Sequence, residues 1–250
     1  MHKPLDGKVA LVTGAGRNIG RAAALALARD GAAIIVNGRS DAAALDEVVA
    51  EITATGGQAM PALADVSNQE AVAAMVASAA ARFGGIDILV SNAGLRRQTP
   101  FLDMGMDEWR EILSVALDGA FILAKATVPH MIRRGGGAIV ALSGISTHIG
   151  TANRCHVSAS KAGLEGLMRA LAIELAPHRI TANCVAPGTV DTTRGTSAGG
   201  LPGNSADQSI PLQRKATVDD IAGMIRYLAG PEGAYVTGQT IHVNGGRYLT

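Results

Sequence analysis

The sequence alternates short runs of β-branched residues with longer segments in which alanine and leucine recur at helical spacing. The predicted strands are Lys8–Thr13, Ala32–Asn37, Gln58–Ala64, Ile86–Ser91, Ala138–Ser143, Ile180–Ala186 and Thr240–Val243. The predicted helices are Asn18–Asp30, Asp41–Thr55, Asn68–Phe83, Asp107–Arg134, Arg154–Ala176 and Val218–Ala229. Strands that are apolar on both faces and separated by helices indicate a parallel sheet covered on both sides. The alternation therefore predicts an α/β fold, a doubly wound parallel sheet with its ligand site at the carboxyl ends of the strands.

Length and composition predict one domain spanning residues 1–250. The chain is 48% hydrophobic and 17% charged, and no change in composition marks a linker. A formal net charge of +1 argues against a nucleic-acid partner. No apolar run approaches the roughly 18–20 residues of a membrane span and no secretory signal is recognisable, so we expect no membrane partner and a cytoplasmic protein. Two cysteines, Cys155 and Cys184, are too few for a disulfide framework or a metal cluster, and no metal site is predicted.

One long segment, residues 188–211, lacks periodicity and is rich in Gly, Ser and Thr. A surface loop would account for it, but its length favours a flexible lid over the edge of the sheet.

A glycine-rich turn joins the first predicted strand to the first predicted helix. Its sequence, Thr13-Gly14-Ala15-Gly16-Arg17-Asn18-Ile19-Gly20, lets the backbone approach a pyrophosphate at the positive end of the helix. A glycine turn alone is weak support, but after the first strand of a doubly wound sheet it indicates a dinucleotide site of the Rossmann type.

The end of the second predicted strand bears on which dinucleotide binds. A site selecting NAD usually offers a carboxylate there, whereas this strand ends Val36-Asn37-Gly38-Arg39 without an acid. Arg39, together with Arg17 from the glycine turn, suits a 2′-phosphate, which guanidinium groups bind through paired hydrogen bonds. NADP(H) is therefore predicted in preference to NAD(H).

These motifs resemble the short-chain dehydrogenase/reductase family, essentially from Gly7 to Gly246. The family's glycine turn reads T-G-x-x-x-G-x-G, and Asn18 stands at its second glycine; asparagine tolerates positive φ better than most residues. The resemblance implies further segments near the adenine, after the fourth strand and around the nicotinamide. The implied cofactor residues are Gly14, Gly16, Arg17, Asn18, Ile19, Gly20, Arg39, Asp65, Val66, Asn92, Ala93, Gly94, Lys161, Pro187, Gly188, Val190 and Thr192.

The reaction centre that the resemblance implies is largely substituted. Lys161 fits the lysine of the family's Tyr-x-x-x-Lys pair, but Val157 stands where the tyrosine belongs. Gly144 stands at the serine position and Ala116 at the asparagine position. Valine has no proton to give to an alkoxide and glycine has no hydroxyl to polarise a carbonyl, so we expect weak or atypical carbonyl reduction.

Neighbouring residues could supply the missing proton. Ser143 and His148 flank Gly144 and are the candidates, because a loop can bend either of them inward. His156 and Lys161 are five residues apart, so on a helix His156 should point away from the lysine.

Three functions stay open at this level. The first is an NADP(H)-dependent oxidoreductase for a small carbonyl or alcohol substrate. The second is a non-catalytic subunit that pairs with an active homologue, and the third is elimination or isomerisation in the same cleft. The resemblance implies a dimer or tetramer. Arg96 and Arg97 follow the turn after the fourth strand and would suit an anionic substrate group if they faced the cleft.

Overall fold

Seven parallel strands form a single sheet in this protein, whose computed structural model describes residues 3–193 and 210–250. The strands are β1 (Val9–Val12), β2 (Ala33–Gly38), β3 (Ala59–Leu63), β4 (Ile88–Ser91), β5 (Gly137–Leu142), β6 (Ile180–Pro187) and β7 (Thr240–Val243). Their order in the sheet is β3-β2-β1-β4-β5-β6-β7, with every neighbouring pair parallel. The chain order reverses between β1 and β4, which is where a doubly wound sheet binds its ligand. The predicted fold class is confirmed.

Helices cover both faces of the sheet. They are α1 (Asn18–Arg29), α2 (Ala42–Ala54), α3 (Gln69–Phe83), α4 (Met106–Leu113), α5 (Gly119–Arg133), α6 (Ser146–Ile149), α7 (Cys155–Leu175) and α8 (Val218–Ala229). The alternation of side chains along β1 places Ala10 and Val12 in the core with α1, α2 and α8. Val9 and Leu11 pack in the second core with α3, α5 and α7. Continuous apolar runs therefore indicated burial on both faces for β1, β2, β4, β5 and β6, whereas the apolar β3 at the edge of the sheet is partly exposed.

The long helix predicted over Asp107–Arg134 is interrupted. A π-helical turn at Ser114–Asp118 separates α4 from α5, and Ala116, at the centre of this turn, is buried. A π turn adds a residue to the helical repeat and so changes the direction of the side chains that follow. Nothing in the residue pattern indicated this turn, and the short α6 was not predicted either.

The stretch Met106–Arg133 contains an 18-residue window with a mean hydropathy of 1.5, which is apolar enough to cross a membrane by length and composition. In the folded chain Ile112, Leu123 and Met131 are fully buried within it, and a core helix meets the same criterion.

The start of the segment predicted as a loop or lid lies beside the chain that follows this segment. Val190 pairs with Ala216 in an isolated parallel bridge, and Ala216 also accepts a hydrogen bond from Asp191 N at 2.8 Å. Residues 194–209, most of that segment, lie outside the described residues, so the lid stays a prediction.

Candidate active site at the carboxyl edge of the sheet

The glycine turn after β1 allows a ligand to approach the backbone closely. Gly14 has φ +60°, and a Cβ added at Gly20 would overlap the carbonyl oxygen of Gly14. α1 begins at Asn18, within this glycine-rich segment, with no acidic residue in its first turn and no side-chain cap from Arg17. Its first N–H groups are thus left to an anion, as a pyrophosphate requires. Gly16 packs against α2 instead, because its added Cβ would lie 3.2 Å from that of Ala44.

Asn18 adopts the left-handed conformation expected of it, with φ +51°. Its side chain also forms two hydrogen bonds with the backbone of Thr193. Asn18 Nδ2 donates to the carbonyl oxygen of Thr193 at 2.9 Å, and Thr193 N donates to Asn18 Oδ1 at 3.0 Å. The amide therefore joins the start of α1 to the chain that follows β6, a connection that glycine could not make.

The turn after β4 is held to the glycine turn by Thr13. The N–H groups of Asn92 and Ala93 both donate to Thr13 Oγ1 at 3.0 Å. Asn92 Nδ2 donates to the carbonyl oxygens of Thr13 and Gly14, at 2.9 and 3.2 Å. These bonds fix the two turns relative to each other at the point where the sheet order reverses.

Arg39 follows β2 and Asp65 follows β3, and the two side chains are close enough to interact electrostatically. Asp65 accepts two hydrogen bonds from Ser67, at 3.0 Å from its N–H and 2.7 Å from its hydroxyl. Burial raises the pKa of Asp65, but these hydrogen bonds and the charge of Arg39 outweigh it and hold the pKa below its usual value. Arg39 and Arg17 are both exposed, and the Val66 side chain is buried in the core.

A cavity of about 650 Å3 opens at the carboxyl ends of the strands. Its wall includes Ile19 from the glycine turn and residues of the β4 turn, of β5, of α7 and of the segment after β6. The predicted site residues that line it are Ile19, Asn92, Gly94, Ser143, Gly144, Val157, Lys161, Pro187, Gly188, Val190 and Thr192. The fold thus brings the predicted nicotinamide segment and the substituted reaction centre to one cavity, whereas Ala116 lies in the core.

Lys161 is the one lysine of α7 and projects towards the turn after β4. Its Nζ donates to the carbonyl oxygen of Leu142, and a Cβ added at Gly94 would lie 3.6 Å from the Nζ atom. Burial and the charge of Arg96 together lower the pKa of Lys161 to about 8. A lysine with this pKa is roughly one-tenth deprotonated at pH 7, whereas an ordinary surface lysine is almost fully charged.

Ser143 and His148, the predicted substitutes for the missing tyrosine, are both hydrogen-bonded to a buried carboxylate. Ser143 Oγ and Thr147 Oγ1 donate to Glu165 Oε1, and His148 Nε2 lies 3.1 Å from the same oxygen. The hydroxyl proton of Ser143 is therefore engaged away from a substrate. Sequence reasoning missed Glu165, although its spacing of four from Lys161 places both side chains on one face of α7.

No tyrosine and no histidine is found among the described residues that line the cavity. His148 instead packs with His242 and Tyr248, at ring-centroid distances of 4.7 and 5.1 Å. His156 is fully buried and its Nε2 lies 3.1 Å from Glu108, in agreement with the expectation that it points away from Lys161. Lys161 is consequently the candidate proton donor that this part of the structure provides.

The two arginines after the β4 turn have different surroundings. Arg96 lines the cavity. Arg97 forms a two-point ion pair with Glu111 of α4, with one N–O distance of 3.0 Å, and is not part of the cavity wall. Only one of the two arginines therefore faces the cleft.

A parallel, doubly wound sheet with a glycine turn and a cavity at its reversal point defines a Rossmann-type dinucleotide-binding protein. The family model described as enoyl-(acyl carrier protein) reductase matches residues 14–247. The 3-oxoacyl-[acyl-carrier-protein] reductase of Synechocystis sp. is 40% identical over 246 residues, which cover 98% of each chain. That of Staphylococcus aureus is 38% identical over 242 residues, covering 97% of this chain and 98% of the relative.

Solved structures agree with these relatives. A protein assigned as a short-chain alcohol dehydrogenase from Sinorhizobium meliloti superposes with a TM-score of 0.90 at 38% identity, covering 97% of both chains. A dehydrogenase/reductase from the same organism gives a TM-score of 0.90 at 33% identity, covering 98% of this chain and 96% of the other. The chain belongs to the short-chain dehydrogenase/reductase family, so the resemblance read from its motifs is confirmed.

Proposed function

We propose that the protein is an NADP(H)-binding oxidoreductase that acts on a carbonyl or alcohol substrate, with weak or atypical catalysis. The observation that carries this proposal is the shared cavity. Residues of the nicotinamide segment line it together with Lys161, Val157 and Gly144. Relatives named as reductases of 3-oxoacyl groups support carbonyl chemistry in such a cavity.

The residues present fit a dinucleotide. The uncapped start of α1 and the glycines of its turn suit a pyrophosphate, and Arg17 and Arg39 are exposed at the end of the site where a 2′-phosphate is expected. When bound, the reduced cofactor supplies the hydride that adds to the carbonyl carbon.

The protein's own part in reduction is to hold the substrate and give a proton to the oxygen that becomes the alcohol. Val157 has no proton to donate, and the Ser143 hydroxyl is bonded to Glu165. Lys161 lines the cavity and, with its pKa near 8, is largely charged at pH 7 and can release a proton to an alkoxide. We therefore assign proton donation to Lys161. Ser143 and His148 would donate a proton to the substrate only after their hydrogen bonds to Glu165 are broken.

Large apolar side chains are exposed on α4, α5 and α7, at the end of β3 and on the segments between elements, which supports assembly into a dimer or tetramer. The most exposed are Tyr235, Leu102, Ile173, Leu249, Phe101, Leu212, Met106, Leu63 and Phe121. A second copy of this chain or an active homologue would cover them. Co-elution of a stoichiometric homologue on purification from the native host would favour the non-catalytic subunit over the weak enzyme. Cytoplasmic localisation stays a prediction.

The proposal is tested by restoring the substituted groups. NADPH is first titrated into the protein by fluorescence, and saturable binding is expected. The triple variant Ala116→Asn, Gly144→Ser, Val157→Tyr should then raise carbonyl reduction by at least about 100-fold on a ketone panel, since general acid catalysis and one oxyanion donor each contribute about that much.

The matched control carries Val157→Phe in place of Val157→Tyr, so that the ring is kept and only the hydroxyl is absent. Activity in the tyrosine variant but not in the phenylalanine variant supports the assignment of the site. Absence of NADPH binding, or equal activity in both variants, contradicts it.

A further inference from the structure

Part of the wall of the cavity that contains Lys161 is apolar. Its apolar side chains include Leu95, Ile145 and Ile149. Val157 is buried in the same wall, one helical turn before Lys161 on the same face of α7. Apolar surroundings solvate an ammonium ion poorly, so they favour the neutral form of an amine, which is the nucleophilic one. The surroundings of Lys161 therefore suit a nucleophile as well as a proton donor.

The Nζ atom of Lys161 has a backbone partner. It donates to the carbonyl oxygen of Leu142, the last residue of β5. None of the ion pairs found in residues 3–193 and 210–250 includes Lys161. A neutral amine has two N–H groups and a lone pair, and the bond to Leu142 uses only one of the N–H groups. This bond therefore fixes the Nζ atom at the cavity wall and leaves its lone pair available.

Two titratable groups on other elements act on Lys161. Burial is the main reason why the pKa of Lys161 is lowered to about 8, and the charge of Arg96, after β4, lowers it further. An ionised Cys184 on β6 would raise it, but burial raises the pKa of the Cys184 thiol to about 12, so this thiol is uncharged at neutral pH. The neutral fraction of Lys161 at pH 7 is therefore about 200 times that of an exposed lysine with an ordinary pKa.

The substituted positions of the reaction centre leave space in the same wall. A Cβ added at Gly144 would meet Ser146 Oγ at 3.8 Å and no closer atom, which is an ordinary contact. Val157 is smaller than the tyrosine that the family resemblance implies, and its side chain has no hydroxyl. A small carbonyl compound in the cavity therefore meets the amine of Lys161 without a phenol beside it.

We propose that Lys161 is also a nucleophile, which forms an imine with a small aldehyde or ketone in the cavity. The lone pair of Nζ adds to the carbonyl carbon, and a proton moves from the nitrogen to the oxygen. The resulting hydroxyl takes a second proton from solvent and leaves as water, while the nitrogen lone pair forms the C=N bond of a protonated imine.

The protonated imine gives this site an activity other than hydride transfer. It withdraws electrons from the neighbouring carbon, so a C–H bond there loses its proton to water and an enamine forms. Protonation of that carbon by water and hydrolysis of the imine then return the carbonyl compound and the amine. No dinucleotide takes part, so this activity goes beyond the proposed function and does not depend on it.

The first test traps the imine on the wild-type protein, without any dinucleotide. The protein is incubated at pH 7 with butanone and cyanoborohydride, which reduces the protonated imine to a stable secondary amine, and the labelled lysines are identified by peptide mass spectrometry. Lys215 is the internal comparison, because it lines the same cavity but is exposed. Lys161 should be labelled at least about tenfold faster, since its larger neutral fraction outweighs the lower nucleophilicity of a weaker base.

The ratio of the two labelling rates should fall from pH 7 to pH 10, because exposed lysines also become neutral over this range. Labelling of Lys161 that is absent, or no faster than that of Lys215, overturns the proposal. A ratio that stays constant from pH 7 to pH 10 also contradicts it, because the reactivity would then not come from the neutral amine.

The second test measures the exchange of the hydrogen atoms beside the butanone carbonyl in D2O by proton NMR. Lys161→Arg keeps the charge but cannot form the imine, and it should slow the exchange catalysed by the protein at least about tenfold. Lys215→Arg is the matched control and should leave the exchange nearly unchanged. Exchange that persists in Lys161→Arg overturns the proposal. Labelling of Lys161 in a protein that does not bind NADPH would support the imine and refute the proposed function.

Discussion

Ser143, directly after β5, donates a hydrogen bond to Glu165, which lies one turn of α7 beyond Lys161. Both residues are buried, and Thr147 and His148 bond to the same carboxylate oxygen. The side chains nearest to the substituted serine position therefore form part of the packing between β5, α6 and α7. The Glu165 carboxylate therefore binds Ser143 and His148, the two residues that the sequence alone suggested as proton donors.

Glu165→Ala should destabilise the protein by about 2–4 kcal/mol, because it leaves Ser143 Oγ and His148 Nε2 without their partner, whereas Thr147 Oγ1 keeps the carbonyl oxygen of Gly144 as an acceptor. The free energy of unfolding in urea measures the change. Glu174→Ala on the exposed face of the same helix is the control and should alter it by no more than about 0.5 kcal/mol. Equal values for the two variants would mean that the bonds to Glu165 contribute nothing net to folding.

Lys161→Met should stabilise the protein at pH 7. Lowering the pKa of Lys161 from 10.5 to about 8 means that folding disfavours its charged form, by about 3 kcal/mol. The methionine avoids this penalty but loses the hydrogen bond to Leu142, so a net gain of about 1–2 kcal/mol is expected.

The pH dependence checks the sign of this effect. Between about pH 8 and 10.5 the unfolded chain binds more protons at Lys161 than the folded chain does, so the wild-type free energy of unfolding rises with pH. The advantage of Lys161→Met in urea denaturation should accordingly shrink from pH 7 to pH 10. An advantage that stays constant over this range would contradict the low pKa.

The strands and the glycine turn were predictable from sequence, because burial on both faces and a forced positive φ each restrict the residue types locally. Asn18 is an example, since its backbone geometry followed from its place in the turn. The partner of Ser143 was not predictable, since Glu165 lies 22 residues further along the chain and only the fold brings the two together. Likewise Glu111, 14 residues from Arg97, decides which of two adjacent arginines faces the cavity.

Arg39→Ala should weaken NADPH binding by about 10- to 100-fold and leave NADH binding nearly unchanged. The reason is that a guanidinium at the end of β2 would bind the 2′-phosphate, which only NADPH carries, through charge-assisted hydrogen bonds. Fluorescence titration with each cofactor measures the ratio of the two dissociation constants. Arg133→Ala, an exposed arginine at the end of α5, is the control. Parallel weakening of both cofactors would show that Arg39 does not select between them.

Asn18→Ala should destabilise the protein by about 1–2 kcal/mol. Alanine at φ +51° retains the strain of a left-handed residue and loses both hydrogen bonds to Thr193. Asn18→Gly is the matched variant, because it loses the same hydrogen bonds but removes the strain. Thermal denaturation should therefore rank wild type and Asn18→Gly close together and Asn18→Ala below both. If Asn18→Gly were as unstable as Asn18→Ala, the loss of the hydrogen bonds to Thr193 would outweigh the relief of backbone strain. The main contribution of Asn18 to stability would then come from its side chain.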